Sequence, residues 1–227
     1  MKMISICRKI ILCFVVLLFE FPFLSFAADG CTYGDSKEVR IKTSVNIISV
    51  VDVKYCGGDD GGYVSIAMLT GKKVQRYKFS IENRAYFIDV DSEIDLKNDG
   101  GHGLGVTNGR GRSGDGMWYW FFDKKNRSYK YVGEAPRLRQ SKERGGELFA
   151  IESSSGDMQS VRYNYRVRND RLVLVGAMGF IPVDDVYEIS LMTCTSDSRC
   201  KEVERIKNVS AEQAQRCMNG AAGCDPL

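Results

Sequence analysis

The sequence predicts an all-β protein, an antiparallel sandwich or barrel-like domain with a short, disulfide-tied C-terminal helix. Three observations carry that expectation. Short β-branched and aromatic runs recur between Gly-, Asn- and Asp-rich turns through residues 39–192. Met117-Trp118-Tyr119-Trp120-Phe121-Phe122 is apolar on both alternating faces, which describes a strand covered on both sides and therefore central in its sheet. The one segment with clear helix signals is short: Ser210 and Gln213 form a capping box, and Gly220 stops it.

Taken in order, the chain opens on Lys2, Arg8 and Lys9 before an apolar run, Ile10 to Phe19. Glu20 and Pro22 interrupt that run at about half the length a membrane span needs, and Ser25-Phe26-Ala27 supplies small residues for cleavage. Residues 1–27 therefore read as a signal peptide, with a lipid anchor on Cys31 a weaker possibility. Removing that leader takes three basic residues from 32 and one acidic residue from 29, leaving 29 against 28, a net of +1. Such a balance does not ask for nucleic acid, and no integral span is expected after processing.

Val39 to Tyr55 is long enough for a bent strand or two. Strands follow at Tyr63–Leu69, Val74–Ile81 and Ala85–Val90, each entered through a turn-forming cluster. After the aromatic strand, Lys124-Lys125-Asn126 turns into Tyr129–Val132, and Pro136 to Gly146 reads as a charged, irregular connection. Val161, Tyr163, Tyr165 and Val167 alternate with Arg162, Asn164, Arg166 and Arg168, and Asn169-Asp170 closes a hairpin into Leu172–Val175. Val186–Met192 is expected to be the last strand. The predicted division is a β domain over 28–193 and a Cys-rich tail with the helix over 194–227.

Six cysteines remain after the leader: Cys31, Cys56, Cys194, Cys200, Cys217 and Cys224. An even number in an exported chain reads as three disulfides, and their clustering favours Cys31 with Cys56 and the last four among themselves. No Cys-x-x-Cys pair supports a zinc site.

Two stretches carry candidate chemistry. Asp89, Asp91, Glu93 and Asp95 alternate, which suits either a Ca²⁺ loop of hard oxygen ligands or the solvated face of a strand. From Gly100 to Gly116, eight of seventeen residues are glycine, and the stretch reads as a long loop projecting from the aromatic strand. Its Arg110, Arg112 and Ser113, with Tyr119 at its root, offer guanidinium forks and hydroxyls suited to carboxylates in another protein's cleft. Catalysis is not expected. His102 is the sole histidine and sits in that stretch, so neither a Ser-His-Asp nor a Cys-His arrangement has a base.

The order of these pieces, DVDSEIDL, a GxGxSGxG segment, an aromatic strand ending FFD, KKNRSYKY, GEAPRL and RYNYRVRNDRLVLV, resembles bacterial periplasmic β proteins related to lysozyme inhibitors. Some of those serve as immunity proteins against secreted peptidoglycan hydrolases. The resemblance covers about residues 63–176 and implies a calcium loop at Asp89, Asp91, Glu93 and Asp95. It also implies an inhibitory loop with Ser113, Gly114 and Tyr119. Ile94 stands where the family usually has glycine, and the tyrosine follows the serine by six residues rather than four. The expected function is an exported, non-enzymatic inhibitor of a lysozyme-like peptidoglycan hydrolase. The alternatives are a secreted or envelope-associated binding module that stacks glycans on the aromatic strand, and a glycosidase acting through carboxylates.

Overall fold

The computed structural model describes residues 33–44, 47–58, 61–82, 87–110, 115–153, 160–195 and 199–224. The signal segment and Cys31 lie outside them. The chain from Cys31 onward forms one compact unit, whose described residues build three antiparallel sheets and one helix. The predicted all-β class is what the structure shows.

The first sheet is a meander of β1 (Tyr33–Ser44), β2 (Ile47–Gly58), β3 (Gly61–Thr70) and β4 (Lys73–Ile81). Its register, with Val39 opposite Val51 and Val53 opposite Ile66, puts Ile41, Val51, Val53, Val64, Ile66 and Met68 on one buried face. The second sheet is β5 (Val90–Asp91), β6 (Leu104–Thr107), β7 (Gly116–Asp123) and β8 (Ser128–Pro136). The third runs in the order β14-β13-β12-β11-β10-β9, from β9 (Arg139–Ser141), β10 (Glu147–Ser153), β11 (Ser160–Arg168), β12 (Arg171–Val183), β13 (Val186–Cys194) and β14 (Cys200–Val209).

The aromatic strand explains the layering. Trp118, Trp120 and Phe122 of β7 pack with the first sheet, while Met117, Tyr119 and Phe121 pack with β8, β10 and the residues around them. Both faces are therefore core, and a polar residue at any of these six positions would be buried. Each large apolar side chain so removed from water contributes roughly 1.5–3 kcal/mol before entropy is counted. The layers are pinned across their seam by Gln75, whose amide accepts from Tyr129 N at 2.7 Å and donates to Tyr129 O at 2.8 Å. The side chain thereby does what a neighbouring strand's backbone would do.

Helix α1 (Ala211–Met218) forms where the capping box placed it, with Ser210 Oγ accepting from Gln213 N at 3.2 Å. It closes a third cluster with Met178, Phe180, Ile189 and Leu191 of the third sheet. Arg162, wholly buried on β11, donates to Cys217 O at 2.8 Å and so ties the helix to the sheet. Cys194–Cys200 closes the tip of the β13–β14 hairpin, and Cys217–Cys224 ties α1 to the turn after it. Cys56 is also disulfide-bonded, its partner lying outside the described residues.

Of the strand expected at Ala85–Val90, the described residues pair only from Val90 onward, in β5. Two further expectations change. The strand Val186–Cys194 is not the last, because β14 follows it in the same sheet. Residues 136–146 are not irregular throughout: they contain β9, and Leu138 is buried. Both segments are rich in charge, and the pairing that makes them strands is made with residues their own composition does not reveal.

Candidate functional site: the β6–β7 hairpin

The glycine-rich stretch is not one long loop. Leu104–Thr107 is a fully buried strand paired with Met117–Trp120, so the connecting loop begins only at Asn108. Gly103, just before β6, and Gly105 within it serve close packing. A Cβ on Gly103 would lie 2.7 Å from Trp120 O, and one on Gly105 would lie 2.9 Å from the Tyr119 ring. The strand can lie against the aromatic strand because those positions carry no side chain.

The loop's root is tightly fixed. Asn108 N donates to Gly116 O and Gly116 N to Arg110 O, each at 2.8 Å. Asn108, 4 % exposed, accepts from Arg110 N at 2.9 Å and donates its amide to Glu134 Oε2 at 3.0 Å. Arg110 Nη1 reaches the same carboxylate of β8 at 3.1 Å while remaining largely exposed. Beside the root, Thr107 Oγ1 accepts from Asp89 N at 3.0 Å and donates to Phe87 O at 3.1 Å. Arg112, Ser113 and Gly114, three of the five residues expected to bind a partner, lie outside the described residues. Arg110 is placed at the loop's mouth.

Tyr119 is corrected outright. It is 0 % exposed, and its hydroxyl accepts from Leu138 N at 2.7 Å and faces Met117 Sδ and Pro136 O. Burial, the largest influence, pushes its phenol well above the ordinary tyrosine range. Its position on the odd-numbered face of β7 directs it into the second core, so it meets no partner. The same burial removes the aromatic strand as a platform for stacking glycans, since Trp118 and Trp120 are 2 % and 0 % exposed.

The four acids are not brought together, and no cluster of three or more His, Cys, Asp or Glu residues able to hold a metal occurs among the described residues. Asp89 pairs with Lys37 at 3.6 Å and with Arg137, joining β1 to the segment after β8. Asp91 accepts from Glu93 N at 3.0 Å, and Glu93 is exposed. Asp95 accepts from Asp99 N at 3.2 Å and Gly100 N at 2.6 Å, shaping its own turn. Ile94 and Leu96 point into the core between them. This is the solvated edge of an extended segment, and the donor set does not fit a Ca²⁺ cage. His102 is exposed, with Nδ1 3.2 Å from Glu93 O.

Sequence reasoning missed Asn108 and Glu134, the two side chains that fix the loop. The Asn108-Gly109 dipeptide was a turn signal that could have marked the loop's start; Glu134 had none, since it meets Asn108 only through the β7–β8 pairing.

No protein-family model and no curated protein matches the chain. Among solved structures, it is similar to a Xanthomonas type IV secretion system related protein, at 12 % identity and a TM-score of 0.45, over 75 % of this chain and 99 % of that one.

Proposed function

We propose that the protein is an exported, non-enzymatic inhibitor that enters the cleft of a lysozyme-like peptidoglycan hydrolase with the loop between β6 and β7. The observation that supports this most is the fixed root: two backbone bonds and the Asn108–Glu134–Arg110 cluster mount the loop on a strand buried on both faces. A loop held in this way loses little freedom at its base on binding, which favours affinity. Disulfides at Cys194–Cys200, Cys217–Cys224 and Cys56 suit an oxidising, extracytoplasmic compartment. Among the described residues no helix is long and apolar enough to cross a membrane.

A lysozyme-like enzyme works with two carboxylates in a cleft. Arg112 and Ser113 would bond those acids and exclude the saccharide, while Arg110 stays with Glu134 and holds the loop's base. Inhibition assays against a panel of peptidoglycan hydrolases test this. Losing a charge-bonded arginine at such a contact removes about 2–5 kcal/mol, roughly a 30- to several-thousand-fold loss of inhibition for Arg112→Ala. Its melting temperature should stay within about 2 °C of wild type, as expected of a side chain that serves binding rather than folding. If a folded variant lacking residues 111–114 inhibits as well as wild type, the loop is not the inhibitory element.

A further inference from the structure

A cavity of about 340 Å³ opens between the turn at Lys97–Asn98, the turn between β9 and β10, and the outer part of β11. None of these belongs to the β6–β7 hairpin. Its walls carry Lys97, Asn98, Arg144, Glu147, Tyr165 and Arg166, and its volume lies at the lower end of small-molecule sites.

The cationic groups there are held in place. Glu147 forms an ion pair with Arg144 at 2.9 Å and accepts from the wholly buried Arg162 at 3.1 Å, so the cavity's guanidinium rests on a carboxylate fixed from beneath. Burial, with the charge of Arg144 adding to it, holds the Arg162 pKa down to about 10, still fully charged at neutral pH. Lys97 Nζ lies 3.3 Å above the Phe121 ring and 3.4 Å from Asp170, a carboxylate it shares with Lys130. Arg166 stands exposed at the rim with no ion-pair partner among the described residues. Of the charged groups that line the cavity, Lys97, Arg144 and Arg166 face one carboxylate, Glu147. That leaves two positive charges in excess at one place, on a chain whose whole net charge is +3. Tyr165, its phenol kept protonated by burial, adds a neutral donor, and Leu148 and Val167 add an apolar wall.

We infer that this cavity binds a sugar-sized organic oxyanion, a carboxylate or phosphate monoester, with Arg144 and Arg166 meeting the charge and Leu148 and Val167 flanking the body. One guanidinium fork held by Glu147 and a second at the exposed rim of a partly enclosed site are suited to planar or tetrahedral oxyanions, and an apolar wall beside them suits a ring rather than a bare ion.

The test is amide-shift titration of the full mature chain at low salt with glucuronate, glucose 6-phosphate and glucose. Either charged sugar should move the amides of Gly145, Gly146 and Arg166, and glucose should not. A shift with glucuronate alone assigns a carboxylate, and one with glucose 6-phosphate alone a phosphate. Arg166→Ala, on an exposed rim position, should keep its melting temperature and bind the active probe about tenfold or more weaker, the loss of a charged hydrogen bond. Raising salt should weaken binding in parallel. No shift with either charged sugar overturns the inference, as does an equal response to glucose or unchanged binding by Arg166→Ala. Because no residue of the β6–β7 hairpin is involved, the outcome is independent of hydrolase inhibition.

Discussion

Arg162 shows how much one residue can carry. The alternation of residues 161–168 placed arginine on the polar outer face of β11, yet the structure buries Arg162 completely because α1 covers that side of the sheet. Arg162→Ala would leave the buried Cys217 carbonyl without its donor and Glu147 with Arg144 as its remaining ion pair, so it should lower unfolding free energy by about 3–5 kcal/mol, read by denaturant melting. Asp123 gives a pH test at the same scale. Bonds from the side chain and backbone of Asn126, then Lys130, hold its carboxyl down to about 2. A folded pKa below the unfolded one adds stability that is present above about 4 and lost as pH falls towards 2. Asp123→Asn should therefore flatten the acid limb of the stability curve between those values. Burial raises Tyr129 and Tyr131 to about 12, the opposite case. Their stabilisation is complete below about 10 and fades as pH rises through 12, so phenolate absorbance should lag that of free tyrosine until the chain unfolds.

At the scale of elements, β6 is the instructive one. The glycines in and just before it signal a loop in the sequence, because a glycine placed for a turn and a glycine placed for close approach look the same there. The neighbours decide which it is. Gly103→Ala should cost about 1–3 kcal/mol through the clash with Trp120 O, measured by chemical unfolding, since that backbone cannot swing aside. The capping box of α1 and the turn chemistry of the β11–β12 hairpin were legible because their partners lie within four residues. β9 and β14 were not, because their strand character comes from the pairing partner.

For the whole molecule, the export reading requires a mature chain without free thiols. Five of its six cysteines are bonded in the described residues or to a partner outside them, and thiol titration of the denatured, unreduced protein should find none. Removing Cys217–Cys224 by paired serine substitution should cost about 2–4 kcal/mol and loosen α1 first. Since the acids around Asp91 do not converge, millimolar Ca²⁺ should leave the melting temperature unchanged; a clear rise reversed by chelator would restore the calcium loop.

The sequence alone determined the class of fold, the central place of β7 and the short helix, because periodicity and capping are written in neighbouring residues. It also marked the segment that supplies the loop. Only the tertiary structure decided that Tyr119 faces inward, that Asn108 and Glu134 fix the loop, that four alternating acids stay apart, and that basic side chains from three segments gather around one cavity. Each of those outcomes depends on which strands pair and in what register, and a shift of one residue would exchange the two faces of every strand involved.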